Sequence, residues 1–300
     1  MKISDKIDRY LEKKIRIINE QDVDTLGFFD CKNQIVCCYV GSEKYIRKIP
    51  QNAKTIIISE ELEEKLRNSD KGLIIIDEPN KVFWDLHQKL YKDTDYVRTQ
   101  FNSSISSKAN ISDYAVISPK NVVIEDNVIV EEFVTIYENA YIGRNSIIRS
   151  GCRIGGVGFQ EYRFDNSITT INHYGGVYIG ANVDIHNNSC IDRGLFPTDN
   201  TIIGDDTKID SMVHIGHASR IGSGCEIVSN SVIAGRCVIG NNVWIGLGVT
   251  VSNFVCVGDN SRLSIGSVVV NDVPSNGNVS GYYAIEHNKF LFEQLQRYRI

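Results

Sequence analysis

The sequence predicts a mainly β architecture in which most of the chain winds as a three-sided parallel coil, preceded by a small α/β unit. Three observations predict it. Aliphatic residues recur at a strict six-residue period from 124 to 269, with two interruptions. Small or β-branched residues form a second track four positions after each aliphatic. Asn and Gly, which tolerate tight turning geometry, recur between the two tracks.

Taken in order, residues 1 to about 100 mix helix and strand signals. VCCYV (36–40), KTIIIS (54–59) and KGLIIID (71–77) are short β-branched runs bounded by charged or turn residues. EELEEKLRNSD between the last two reads as a short helix. After Pro79, the spacing of Val82, Phe83, Leu86 and Leu90 places an apolar stripe on a further helix.

The repeat begins near 105. Every sixth residue from Ile203 through Ile209, Ile215 and Ile221 to Val269 is aliphatic, as are those from Ile124 to Ile154 and from Ile179 to Ile191. With aliphatics at roughly 30% of residues, chance yields the twelve-position run from 203 about once in 10⁶ trials. A helix of period 3.6 cannot hold a six-residue stripe on one face, whereas a coil with three six-residue sides can. Each side is then a short strand with its aliphatic inward and the small residue (Ser219, Cys225, Ser231, Cys237) in the corner. Coils stack at the strand spacing of ~4.8 Å. The expected fold is a left-handed parallel β-helix of hexapeptide repeats, an exception to right-handed crossovers. An ordinary β-sandwich of short strands is the alternative that this regularity argues against.

Residues 155–177 and 193–201 break the period and are expected to leave the coil as loops, where binding often resides. After 270 the repeat stops, Pro274 and Gly277 mark turns, and EHNKFLFEQLQRYRI reads as a short C-terminal helix that could cap the coil. The expected organisation is an α/β domain over 1–102, the coil over 103–273 and an extension over 274–300.

Composition narrows the function. Lys+Arg 32 against Asp+Glu 37 gives a net charge of −5, so no basic excess points to nucleic acid or an anionic membrane surface. No apolar run approaches the ~18–20 residues of an integral membrane segment. The opening MKISDKIDRYLEKKIRI scatters charge through its apolar positions, unlike a signal peptide. A cytoplasmic location is expected. The eight cysteines, at 31, 37, 38, 152, 190, 225, 237 and 256, form no CxxC pair, and most read as small apolar fillers.

Outward positions of the coil are the ones to search for chemistry. His217 follows inward Ile215 by two residues, and one eighteen-residue coil further on is Gly235. A neutral imidazole can take a proton from a nucleophile, and an N–H unscreened by a side chain can stabilise an oxyanion. A solvated histidine beside a turn glycine is the bland alternative. His214 and His217 with His186 would make a metal site only if the intervening corner allowed it. Asp192 and Asp210 follow inward isoleucines and are expected to face out. GGVG at 155–158 lacks the βαβ context of a phosphate loop. Tyr39 and Tyr45 flank GSEK and could sandwich a flat base, although a strand tyrosine is more often core.

The stretch CIDRGLFPTDNTIIGDDTKIDSMVHIGHASRIGSGCEIVSNSVIAGRCVIG (190–240), with GGVGFQ (155–160) and YVGSEKYIRK (39–48), resembles the UDP-3-O-acylglucosamine N-acyltransferases of lipid A and lipopolysaccharide biosynthesis. The resemblance covers about 36–281. It implies a homotrimer with active sites between subunits and transfer of an acyl chain from acyl carrier protein to the amine of a UDP-linked amino sugar. It implies that His217 is the general base, Gly235 the oxyanion-stabilising backbone position, Tyr39 and Tyr45 the uracil-holding aromatics of a uridine-binding domain, and Asp210 a polar active-site position. The chain departs from the family pattern at Ser42, His214, Ala218 and Phe254, where the family has asparagine, glutamine, asparagine and a second histidine. Ser42, His214 and Phe254 remain expected substrate contacts. The C-terminal helical segment, which in the family helps dock the carrier protein, stops at Ile300. Acyl-CoA is the other candidate donor, and no metal or tightly bound cofactor is expected, because a thioester is already activated. The alternatives are an acetyl-CoA-dependent nucleotide-sugar acetyltransferase of surface-polysaccharide synthesis, a noncatalytic nucleotide-sugar-binding β-helix, and a metal-dependent hydratase or lyase.

Overall fold

A computed structural model describes residues 1–28, 34–281, 283–284 and 286–297; Cys31 and Ile300 lie outside the described residues. The β-branched runs of the N-terminal part form a five-stranded sheet in the order Arg16–Ile18, Gly72–Ile75, Ala53–Ile58, Val36–Val40, Thr25–Leu26. Arg16–Ile18 is antiparallel to its neighbour and the other pairs are parallel. Strand alternation divides the apolar side chains between two faces. Cys37, Ile57 and Ile74 pack with the predicted stripe, of which Val82, Phe83 and Leu86 lie in helix Pro79–Lys89 and Leu90 opens the 3₁₀ turn after it. Cys38, Ile56, Ile58 and Leu73 meet Leu62 and Leu66 on the other face. The helix predicted between the second and third runs is a short 3₁₀ turn, Glu60–Leu62, continued by Glu63–Leu66.

Helix Ile3–Leu11 was not legible in the sequence. Its first N–H groups are satisfied from a distance, because Ile3 N–H and Ser4 N–H both donate to Glu20 Oε1, at 2.8 and 2.9 Å.

The remaining chain is a left-handed β-helix with three parallel sheets of nine, eight and eight strands. Isoleucines one coil apart lie opposite one another on each side, as in Ile215↔Ile233, Ile221↔Ile239 and Ile227↔Ile245. The inward aliphatics form one continuous core from Val122 to Val273. The coil runs past the expected limit of 273, since Asn278–Val279 pairs with Arg262–Leu263. His287–Arg297 is helical.

The small-residue track satisfies backbone groups as well as filling corners. Ser219 Oγ–H donates to the Ala234 carbonyl at 2.8 Å, and Cys237 N–H donates back to Ser219 Oγ at 3.2 Å. Ser146, Ser189 and Thr207 repeat this bridge between coils. At the corner that holds Ser146 and Thr207, asparagines in the left-handed region form a side-chain ladder, Asn127 to Asn145, Asn145 to Asn182 and Asn182 to Asp206, at 3.0–3.1 Å. Their sequence separations are 18, 37 and 24; the excess over one coil is chain looped out near 155–177 and 193–201.

These two loops join the coil to the N-terminal domain. Phe196, fully buried, contacts the rings of Phe28, Phe83, Trp84 and His87. His87 bridges Tyr96 and the Asn172 carbonyl, and burial pushes it down to about 4. Arg98 donates to the Pro197 and Asp199 carbonyls and to Asn200 Oδ1. Burying an aromatic plug and bonding both sides of the contact holds the domain in one place against the coil.

Candidate active site

His217 and Gly235 occupy successive coils at one corner of the prism. Each lies in the turn that follows a strand of one side, His214–Ile215 and Val232–Ile233 respectively, and precedes a strand of the next. The backbone fixes the stack, with Arg236 N–H donating to the His217 carbonyl at 2.9 Å and Phe254 N–H to the Gly235 carbonyl at 3.2 Å. The imidazole lies outside the aliphatic core, against Gly235: a Cβ built there would stand 2.7 Å from His217 Nε2. A Cβ on Gly216 would stand 2.6 Å from the Gly235 nitrogen. Both positions must therefore be glycine to keep that amide uncovered. Among the described residues no acceptor takes the Gly235 N–H. Sequence reading missed Gly216, although its place two residues before Ala218 and nineteen before Gly235 is a direct consequence of the repeat.

The sequence places His217 and Asp192 outward, and the structure buries both, each at 9% exposure. The cover is the looped-out segment. A Cβ on Gly158, in the GGVG stretch, would meet Asp192 Oδ2 at 3.0 Å, His173 Nε2 at 3.1 Å and His217 Cβ at 3.2 Å. GGVG thus works as a close-packing cover over the histidine, not as a phosphate loop. Burial, with Arg236 and the His173 and His214 imidazoles nearby, pushes His217 down to about 3. Neutral imidazole is the form that accepts a proton. His214 Nε2–H donates to Asp192 Oδ2 at 2.9 Å, and this bond raises His214 above the ordinary histidine value.

The predicted nucleotide-side residues line a separate cleft of about 550 Å³ between the N-terminal domain and the coil. Tyr39, Ser42, Tyr45 and Phe254 all line it. So do Phe28, Asn80, Trp84 and Tyr162, which sequence reading had not singled out for binding. Tyr39 is both core and wall, tilted against Phe83 at 4.9 Å. Tyr45 is more exposed, with Lys44 Nζ 4.9 Å from its ring centroid. Ser42 Oγ and Asn80 Oδ1 are buried there without a hydrogen-bond partner among the described residues. Gly41 lets Asn80 in, because a Cβ at 41 would lie 2.5 Å from Asn80 Oδ1. Phe254 joins the two regions: it lines the cleft and its N–H bonds the Gly235 carbonyl.

Asp210 is not brought to the imidazole. Its carboxylate accepts from Ser229 Oγ–H and from the N–H groups of Ser211 and Ser229, and these bonds, that of the Ser229 side chain foremost, hold it below the usual carboxylate range. His186 belongs to the same neighbourhood, 3.9 Å from Asp210 and 3.7 Å from Asp184, on a different side of the prism from His214. The three histidines of the metal alternative do not converge, and among the described residues no three His, Cys, Asp or Glu side chains form a metal cluster. Among the described residues no helix is long and apolar enough to cross a membrane.

Parts of the chain are similar to known proteins. The family profile described as bacterial transferase hexapeptide (six repeats) matches residues 121–156 and 200–235. UDP-3-O-acylglucosamine N-acyltransferase 2 of Legionella pneumophila is 47% identical over 90 residues, 30% of this chain and 26% of that protein. The UDP-3-O-acylglucosamine N-acyltransferase of Rhizobium meliloti is 42% identical over 154 residues, 51% of this chain and 43% of that protein. The matched stretch therefore spans less than half the length of either curated relative. The crystal structure of Francisella novicida UDP-N-acetylglucosamine acyltransferase aligns with 64% of this chain and 71% of its own, at 27% identity and a TM-score of 0.46. The chain thus carries bacterial transferase hexapeptide repeats and is similar, over up to about half of its length, to UDP-3-O-acylglucosamine N-acyltransferases.

Proposed function

We propose that the protein is an N-acyltransferase that moves an acyl group from a phosphopantetheine thioester to the amine of a UDP-linked amino sugar. The observation that carries this reading is the buried, neutral His217 imidazole lying against the uncovered Gly235 amide. The amine nitrogen attacks the thioester carbonyl and a C–N bond forms. The proton it sheds passes to His217 Nε2, and the Gly235 N–H donates to the oxyanion. Collapse breaks the C–S bond, and the departing thiolate takes the proton back from the imidazolium. A base of low pKa suffices, because the amine proton becomes acidic only once the C–N bond has formed. Holding both substrates in place supplies much of the remaining acceleration.

The cleft lined by Tyr39, Ser42, Tyr45, Asn80 and Trp84 is assigned to the uridine part of the acceptor. Its aromatic walls suit a flat base, and its two unpartnered polar atoms suit the base edge. Asp210 and His214 are assigned to polar contacts with substrate on the same coils, His214 held in place by its bond to Asp192. The donor is acyl carrier protein or acyl-CoA, which present the same thioester. A homotrimer acting in the cytoplasm on a lipid A or related surface-glycan precursor is the setting proposed for this chemistry.

Incubation with UDP-amino sugars and a panel of acyl thioesters tests the reading. Free thiol appearing in step with acylated sugar is expected. Tight sugar binding with no thiol release would make the chain a noncatalytic binding protein instead, and activity abolished by a chelator would point to the hydratase or lyase alternative.

A further inference from the structure

His173 belongs to the looped-out segment and is 4% exposed. Its Nδ1 lies 3.0 Å from the Ile171 carbonyl. A carbonyl only accepts, so Nδ1 carries the proton and Nε2 keeps its lone pair. That Nε2 is buried, and among the described residues nothing donates to it. His217 has the complementary deficit, because its Nδ1 is buried without a partner among the described residues. For His217 Nε2 to be the lone pair facing Gly235, Nδ1 must hold the proton. An unanswered donor thus stands beside an unanswered acceptor.

The two rings meet edge to face, with centroids 5.2 Å apart and an interplanar angle of 77°. Two imidazoles joined by one hydrogen bond of ordinary length have centroids roughly 5 Å apart. Both side chains approach Gly158, His173 through Nε2 and His217 through Cβ. The other acceptor at that point, Asp192 Oδ2, already receives the His214 Nε2–H.

We propose that His173 is the positioning residue for the base: its Nε2 accepts a hydrogen bond from His217 Nδ1–H, directly after a ring rotation or through one water, and so holds His217 in the tautomer whose Nε2 lone pair faces Gly235. A nucleophile's base is commonly oriented by a third group in this way. The kinetic consequence rests on His217 being the base, but the hydrogen bond can be read without any activity.

The test is two-bond ¹H–¹⁵N correlation on the full chain labelled with ¹⁵N-histidine at pH 7, with His217 assigned by His217→Ala. The wild type should show His217 protonated at Nδ1, and His173→Gln, whose side-chain oxygen still accepts, should preserve this. His173→Phe should give a mixture of His217 tautomers and lower kcat by about 10- to 100-fold, the range for outer-shell partners, with KM within about twofold. Wild-type His217 protonated at Nε2 would overturn the proposal, as would unchanged tautomer and kcat in His173→Phe. If His173→Phe does not fold, the wild-type and His173→Gln spectra decide alone. A tautomer shift in a chain that releases no thiol would support the hydrogen bond and refute the acyl-transfer reading.

Discussion

Nε2 of His217 lies so close over Gly235 that a single added carbon on that glycine would stand 2.7 Å away, well inside van der Waals contact. The residue that bares the amide is thus also the one that makes room for the imidazole. Gly216 completes the arrangement from the other side.

Removing the base, His217→Ala, should lower turnover by ~10²–10⁴ while the far-UV spectrum and Tm stay near wild type. Gly235→Ala keeps the N–H but displaces the ring, and Gly216→Ala covers the N–H but leaves the ring. Each should lower kcat by at least ~10-fold with substrate KM little changed, in steady-state thiol-release assays. Neither glycine has a positive φ; what must give is the His217 ring at Gly235 and the Ala234–Gly235 backbone of the next coil at Gly216. Wild-type rates in both alanine variants would remove Gly235 from the mechanism.

The histidine environment sets the response to pH. With His217 down to about 3, protonation of the base should not limit kcat between pH 5 and 8, so a pH–rate profile should show no acid limb near 6.5 from this group.

Stability should respond instead. His87 and His173, down to about 4, and His217, down to about 3, bind fewer protons folded than unfolded as the pH falls below ~6.5. Their contribution is fully present above ~6.5 and is lost as pH falls toward those folded values, at up to about 1.4 kcal/mol per pH unit for each. His214, raised by Asp192, acts with the opposite sign, stabilising below ~6.5 and losing its contribution as pH rises through its folded value. Urea midpoints from pH 7.5 to 4.5 should therefore decline, and decline less steeply in His173→Gln. A flat series would contradict the burial described for these rings.

The cleft predicts a stacking signature. Trp84→Ala or Tyr39→Leu should weaken UDP binding by about 1–3 kcal/mol in calorimetry, the worth of one aromatic stacking partner. Asn80→Ala should weaken it by a smaller step and Ser42→Ala by less. UDP affinity unaffected by all four would separate this cleft from the nucleotide.

Phe196→Ala should cost about 3–5 kcal/mol, because the ring is fully buried among Phe28, Phe83, Trp84 and His87 and its neighbours cannot all collapse into the space. The loss should appear in the unfolding of the N-terminal domain, followed by Trp84 fluorescence. A cost below about 1 kcal/mol would mean that the loop does not anchor the domain.

Several elements escaped sequence reading for identifiable reasons. Helix Ile3–Leu11 depends on a cap from Glu20, and strands Arg16–Ile18 and Thr25–Leu26 are too short to show a period. Trp84 and Phe28 carry no binding signal in sequence; Trp84 is buried, Phe28 is partly buried against the same core, and only the fold shows that both also line the cleft. His173 carries no local signal, since its neighbour His217 is 44 positions away along the chain.

The sequence alone determined the coil and the alignment of His217 with Gly235. A six-residue period returns each side chain to the same side every three repeats, so residues eighteen apart are forced one above the other. Only the tertiary structure decided which outward groups meet solvent. Asp192 and His217 point away from the core, as their places in the repeat require, yet a chain segment looped out between coils folds back over them. Periodicity encodes direction relative to the coil axis. Burial, and with it the charge state of every histidine at the site, depends on what distant chain packs on top.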